Sequence, residues 1–386
     1  MSQIASLNAG RATGDPQAVP QKSSSREHIA YIEYFRALAI VMIVSGHTFA
    51  LAWTHFADED PTAAGISLLN IVPSLINSGT AYFVFISGFL YRQVFFERMA
   101  FGEFMRRKAL YIGLPYLFIG LPVALAEIAS GTFYVTMVKD GMAYPRNGFV
   151  ELVVLMATGR MVNAYWYMPF IFLVFLASPL FDRFIRLPAQ LRYGIVAAAF
   201  VVAMWVHRPI ANLNPFHSFL YFANIYMFGM LFCEYRERIM AFVARPLPVA
   251  LLACLILAIA AVQALILNDT SNIERAPGDG VMPLGFDLML IQKYVGFFLF
   301  CGFFALWGGY AAKPLRYIAR NSFGIYFVHA IVIAALMRMP MALSPHVGEP
   351  ITDFLLYTSV VFAISLTIIE IGKRLLGRYS RYIIGC

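Results

Sequence analysis

Apolar runs of about twenty residues alternate along this chain with short segments that gather charge, proline and glycine. Ten runs stand out, at about 30–54, 66–91, 109–129, 164–181, 191–207, 218–235, 248–267, 286–308, 321–339 and 351–372. A helix of ~20 apolar residues spans the ~30 Å hydrocarbon core of a bilayer. The connectors have the opposite character, as in "FADEDPTAAG" and "NDTSNIERAPGDG". The pattern predicts an all-α, polytopic membrane helix bundle of about ten transmembrane helices. One apolar run breaks the rhythm. "GFVELVVLMATG" (148–159) is too short to span and is expected to be re-entrant or interfacial, within a long outer loop at 130–163.

Composition agrees with this pattern. The 386 residues are 60% hydrophobic and only 13% charged, where a soluble domain carries roughly 25% charged residues. Most of the chain therefore belongs in lipid. Cys233, Cys254, Cys301 and Cys386 show neither CxxC nor Cys/His spacing, so no disulfide framework and no metal site is expected. Residues 1–28 are rich in Ser, Ala, Gln, Gly and Pro and lack the apolar stretch of a signal peptide. The expected organisation is a disordered cytoplasmic tail at 1–29, a transmembrane domain at 30–376 and a cytoplasmic tail at 377–386.

The net charge of +8 would suit nucleic acid or anionic lipid. Its distribution favours membrane lipids and orientation over nucleic acid. With the N-terminus cytoplasmic, twenty-one basic residues fall in inner segments and six in outer ones. Both termini are then cytoplasmic, and the location is a cell (inner) membrane.

Candidate chemistry begins in the first run, "YFRALAIVMIVSGHTF" (34–49). Arg36 and His47 are eleven residues apart, which at ~100° per residue returns them to one helix face about 16 Å apart. The residues between them are almost wholly apolar, so both side chains are expected to face protein rather than lipid. Arginine offers a donor fork suited to phosphate or carboxylate, and a partly buried histidine can exchange protons. Blander readings stand beside these: Arg36 pairing with Glu33, and His47 hydrogen-bonded to a neighbouring helix. Ser87 and Gly88 can serve close packing, Lys293 can snorkel to the outer surface, and Glu127 can orient His47 or meet water. "HFADED" (55–60) matches a glycerolipid acyltransferase signature, but it ends against Pro61 and reads as chance.

Five phrases, in order, carry a family resemblance. "FRALAIVMIVSGHT" resembles the first-helix Arg-x10-His signature of the acyltransferase family 3 integral membrane O-acyltransferases. "TAYFVFISGFLYR" (80–92), "RRKALYIGLPYL" (106–117), "AYWYMPF" (164–170) and "NSFGIYFVH" (321–329) are similar to later segments of that family. The resemblance implies transfer of an acyl group, acetyl or succinyl, from cytoplasmic acyl-CoA to a hydroxyl of a surface polysaccharide or lipid-linked glycan. Acyl-CoA would be a co-substrate, with no tightly bound cofactor. The resemblance makes Arg36 and His47 the essential pair and puts Arg106 and Arg107 at the donor mouth. Ser87, Tyr165, Trp166, Tyr326 and His329 would line or support the cavity. Some relatives carry an appended esterase-like domain; here the bundle is expected to act directly or with separate proteins.

The chemistry asks for the same groups. A sugar hydroxyl attacking a thioester needs a base, and positioned general-base catalysis contributes ~10²–10⁴-fold. His47 suits that role, either directly or through a transient acyl-histidine. The alternatives are a secondary transporter or glycan export partner that uses the polar residues as a substrate or proton path. A membrane acyltransferase of another fold is also open. The topology is checked by impermeant thiol labelling of single cysteines placed at residues 60, 140, 275 and 346. All four are expected outside, and one found inside means a miscounted helix.

Overall fold

A computed structural model describes residues 29–59, 70–131, 147–209, 214–267, 286–338 and 350–386. The expected tail at 1–28, the outer basic residues Lys139, Arg146 and Arg275, and the end of "HFADED" lie outside the described residues. Described residues form helices and turns, with no strand among them. The first two runs give α1 (Ala30–Glu59), a short α2 (Ile71–Ile76) and α3 (Thr80–Leu90). Then come α4 (Phe101–Lys108), α5 (Leu114–Ser130) and α6 (Gly148–Thr158). The middle of the chain forms α7 (Tyr167–Leu176), α8 (Ser178–Ile185), α9 (Ala189–Val206), α10 (Pro215–Glu234), α11 (Arg236–Val243) and α12 (Pro246–Ala261). The last elements are α13 (Leu288–Trp307), α14 (Ala312–Met337), α15 (Pro350–Leu376) and α16 (Ser380–Ile383).

Eight described stretches are long and apolar enough to cross a membrane, and nine if α7 and α8, bent by 53°, form one span. One stretch of the eight, Leu288–Met337, runs for 50 residues. At ~1.5 Å per residue it would extend ~75 Å, far beyond a ~30 Å core. It reverses at Gly308–Ala311. Phe304 of α13 and Arg316 of α14 both reach Tyr34, while Phe297 reaches Tyr82 and His329 reaches His47. Its two limbs are antiparallel, which raises the tally to the ten crossings expected from the sequence. The run at 148–159 is helical but short, capped by the Asn147 side chain on the amides of Phe149 and Val150 and closed by Gly159 at φ 71°.

Burial separates a core from a rim. α1 and α10 bury 61% and 67% of their apolar windows, against 22% for α9 and 28% for Pro246–Ile266. The rim exposes Trp205, Leu247 and Leu251 outward, as helices facing acyl chains do. α1 packs against α3, α13, α14 and α15, so the helix bearing Arg36 and His47 lies inside the bundle. Several segments start or bend where sequence boundaries did not place them. α4 begins at Phe101, so Arg106 and Arg107 lie within a helix, and α14 begins at Ala312. π-helical turns at Tyr91–Phe95 and Ala109–Gly113 interrupt the second and third runs. Residues 377–386 fold back: Tyr382 stacks on Tyr111 at 5.4 Å and Arg381 lies 4.1 Å over the same ring.

The tightest helix crossing joins α3 to α10. A β-carbon on Gly88 would overlap the Tyr226 carbonyl, and one on Gly229 would overlap the Phe85 carbonyl. Glycine is thus required on both helices at one contact, because backbones meet there with no room for a side chain. Around it Phe85 stacks on Phe297 at 4.3 Å and meets Phe232 edge-on at 5.1 Å. Gly88→Ala is expected to destabilise by at least ~1–3 kcal/mol, the range for overpacking. Gly102→Ala, in open space on α4, is expected to be neutral. Melting temperatures of both variants in detergent check this, and equal melting would mean the crossing has slack.

Candidate functional site

The eleven-residue spacing on α1 holds: Arg36 and His47 open onto two different cavities along the same helices. The Arg36 cavity has a volume of about 190 Å³ and the His47 cavity about 260 Å³. α1 gives Arg36 to one and Ile43, Gly46 and His47 to the other. α3 gives Thr80 to the His47 side and Phe83, Ile86 and Ser87 to the Arg36 side. Trp166 lines the His47 cavity, whereas the next residue, Tyr167, lines the Arg36 cavity. The two hollows are therefore stacked along a common set of helices.

At the Arg36 end, several cations are paired. Arg192 meets Glu234 at 2.6 Å, and Glu33 faces Arg316 and Arg320 at 3.6 and 3.8 Å. Glu33 attracts Arg36 electrostatically, but no hydrogen bond or ion pair joins the two. Arg36 Nε is buried without a hydrogen-bond partner. The second cation of this cavity is Lys108, whose ammonium lies 4.6–5.1 Å from the ring centres of Phe95, Phe104 and Phe175. A ring cage holds a cation without neutralising it. Arg106 and Arg107 lie elsewhere, exposed and both bonded to Glu103 at 2.7 Å. Sequence reasoning passed over Lys108. Its signal was helical phase, since Lys108 shares a face with the buried Phe104 four residues earlier. Two of the three π-helical turns among the described residues border this cavity, through Tyr91 and Phe95 on one and Ile112 on the other, while the third, Val262–Ile266, does not. Such turns recur at functional sites because they widen the helix locally.

At the other end, His47 has no hydrogen-bond partner among the described residues, so the neighbouring-helix bond does not form. Its ring lies 5.6 Å from that of the fully buried His329. Nδ1 of His329 donates to the Ile325 carbonyl at 2.9 Å, and its Nε2 is unpartnered. In the neutral ring that leaves Nε2 as an acceptor. Asn77, Ser78, Thr80, Asn163 and Arg208 complete the wall. None of these five stood out in the sequence, because each comes from a turn or helix end that only the fold brings to His47. Glu127 is taken by Arg338 at 2.8 Å. Lys293 does not snorkel: it is 1% exposed and donates to the Leu75 carbonyl and to Gln292. Among the described residues, no three His, Cys, Asp or Glu side chains converge to hold a metal ion.

Tyr165 and Tyr326 stand behind the cavities rather than in them. The Tyr165 hydroxyl donates to the Phe327 carbonyl at 2.8 Å, and the Tyr326 hydroxyl donates to the Ala164 carbonyl. These reciprocal bonds tie the turn before α7 to α14, fixing Trp166 against one cavity and Tyr167 against the other. Gly159 sits over the same turn, where a β-carbon would overlap the Tyr165 carbonyl.

The helix that carries this buried cation and histidine lies within a segment that matches a known protein family. The model of acyltransferase family 3, described as an acyltransferase domain, matches residues 29–370. The chain belongs to acyltransferase family 3. No curated protein and no solved structure matches it. The family match runs from the first turn of α1 into α15, so both cavities lie inside the acyltransferase domain. The protein is a multi-pass membrane acyltransferase, and its cavities are the candidate seat of the family's chemistry.

The two tyrosine bonds make unequal demands. The Phe327 carbonyl lies inside α14, where the helical ladder can still engage it, whereas Ala164 lies in a turn. Tyr165→Phe is expected to cost ~1 kcal/mol and Tyr326→Phe more, toward the ~1–3 kcal/mol of an unsatisfied buried acceptor. Thermal unfolding in detergent ranks the two, and the reverse order would show that Ala164 finds another donor.

Proposed function

We propose that this acyltransferase moves an acyl group, acetyl or succinyl, from cytoplasmic acyl-CoA to a hydroxyl of a surface polysaccharide or lipid-linked glycan. Its place is the cell (inner) membrane with both termini cytoplasmic. The Arg36 end then faces the cytoplasm, in keeping with the basic residues gathered there. One observation carries the reading. Arg36, whose Nε has no hydrogen-bond partner, and the ring-caged Lys108 share one cavity, while His47 lines the hollow stacked beyond it.

The Arg36 cavity suits the anionic donor. An arginine fork and a ring-caged ammonium, with no carboxylate among the lining residues, favour phosphate oxygens. The pantetheine arm carries the thioester along α1 toward His47. In the His47 cavity the acceptor hydroxyl attacks the thioester carbonyl and its proton passes to His47. A new C–O bond forms, the C–S bond breaks, and the proton returns to the departing thiolate. His329 Nε2, an acceptor without a hydrogen-bond partner on a ring 5.6 Å from that of His47, would steady the N–H of the His47 ring as charge develops there. Ser87 lines the donor side, and Arg106 and Arg107 sit on the cytoplasmic surface as an outer electrostatic guide.

Substitutions at the two ends are expected to fail differently. Arg36→Ala and Lys108→Gln should each weaken binding of a non-hydrolysable CoA analogue by about one to two decades, from ~1.5–3 kcal/mol per charge-assisted bond. Arg106→Gln and Arg107→Gln should weaken it less. His47→Ala should bind the analogue nearly as the parent does, while transfer falls ~10²-fold or more. Titration of the analogue beside a transfer assay separates these outcomes. A shared binding loss in Arg36→Ala and His47→Ala would refute the division between the two cavities.

A further inference from the structure

The His47 cavity contains a cation that the chemistry above does not use. After α9 the chain turns at His207, whose backbone takes φ 55° and ψ 177°, a conformation costly for any residue with a side chain. His217 Nε2 lies 3.0 Å from the His207 carbonyl. This turn delivers Arg208 into the cavity wall. Across from it Ser78, also at positive φ (57°), lines the same hollow.

Arg208 is poorly satisfied there. Its Nε is buried with no partner, and Nη1 reaches the Ser78 hydroxyl only at 3.5 Å. The acidic neighbour Asp287 is already engaged by the Tyr221 hydroxyl at 2.6 Å and the Leu290 amide at 2.8 Å. Arg208 forms no ion pair among the described residues. Asp287 attracts the guanidinium electrostatically but is not bonded to it, so the Arg208 fork stays open for a planar anion.

The rest of the wall suits a sugar. Asn77, Thr80 and Asn163 offer amides and a hydroxyl, and Trp166 offers an aromatic surface. At about 260 Å³ the cavity lies below the ~300–1,000 Å³ of drug-sized ligand sites, which limits it to something as small as one sugar residue. We infer that this cavity selects an acceptor sugar bearing an anionic group, carboxylate or phosphate, which Arg208 clasps while a hydroxyl is presented to His47. The inference rests on the reading of the His47 cavity as the acceptor side.

The test compares three acceptors with the purified full-length protein: methyl glucoside, methyl glucuronide and methyl glucoside 6-phosphate. Transfer from acyl-CoA is measured together with direct binding of each sugar in the absence of donor. The parent protein is expected to prefer one or both anionic sugars by roughly tenfold or more in kcat/KM, and the better of the two identifies the anion. Arg208→Gln is expected to lose at least ~tenfold more with the anionic sugars than with the neutral one, mainly through KM, and Arg208→Lys to recover part of that loss. Binding of the CoA analogue shows that each variant is folded. No preference in the parent, or an equal loss for all three sugars carried in kcat, would overturn the assignment, the latter making Arg208 a group of the chemical step. Arg208-dependent binding of an anionic sugar without acyl transfer would keep the assignment and instead refute glycan acylation.

Discussion

Charge inside an apolar bundle is the constraint from which the architecture follows. Arg36 keeps its charge at any accessible pH, and in lipid such a group is tolerated only when it faces protein or a water-filled hollow. α1 therefore cannot lie on the rim. It occupies the interior, enclosed by α3, α13, α14 and α15, while apolar helices such as α9 and Pro246–Ile266 take the lipid-facing positions. The same constraint explains the ion pairs at that end. Glu33, Glu234 and Glu103 neutralise Arg316, Arg192, Arg106 and Arg107, while Arg36 and Lys108 share a cavity lined by no carboxylate.

The cavities exist because the packing around them is uneven. Where Gly88 and Gly229 meet, α3 and α10 touch backbone to backbone. On an adjacent face of α3, Ser87 and Leu90 line the Arg36 cavity. Two π-helical turns and the bend at Ala177 hold the wall helices off a uniform close-packed course. The tyrosine exchange between the turn before α7 and α14 then fixes the aromatic partition from which one cavity faces Arg36 and the other His47. Rigid close contact and local irregularity work as a pair, since a bundle packed evenly to protein density would leave no such hollow.

Family membership gives the chain its reaction class, and the geometry apportions labour within it. The two cavities differ in kind: the Arg36 side combines cations with phenyl rings, and the His47 side combines amides, hydroxyls and one cation. Separation along one helix lets each surface be shaped independently of the other.

The sequence by itself determined the all-α class, the ten crossings, the short non-spanning helix at 148–159 and the common face of Arg36 and His47. Each follows from run length or helical period, which are local properties of a chain in lipid. It also pointed to Ser87, Trp166, Tyr165, Tyr326 and His329, but not to what each does. Only the tertiary structure decided that Tyr165 and Tyr326 brace the wall, that Glu33 turns to Arg316 and Arg320, and that Lys108 rather than Arg106 or Arg107 lines the cavity at Arg36. Adjacent basic residues on one helix point in different directions, and the neighbouring helices select which of them is enclosed. Arg208 was hidden for a related reason. It follows a turn, where no period predicts direction, and meets His47 only because α1 and the end of α9 are brought together across the bundle.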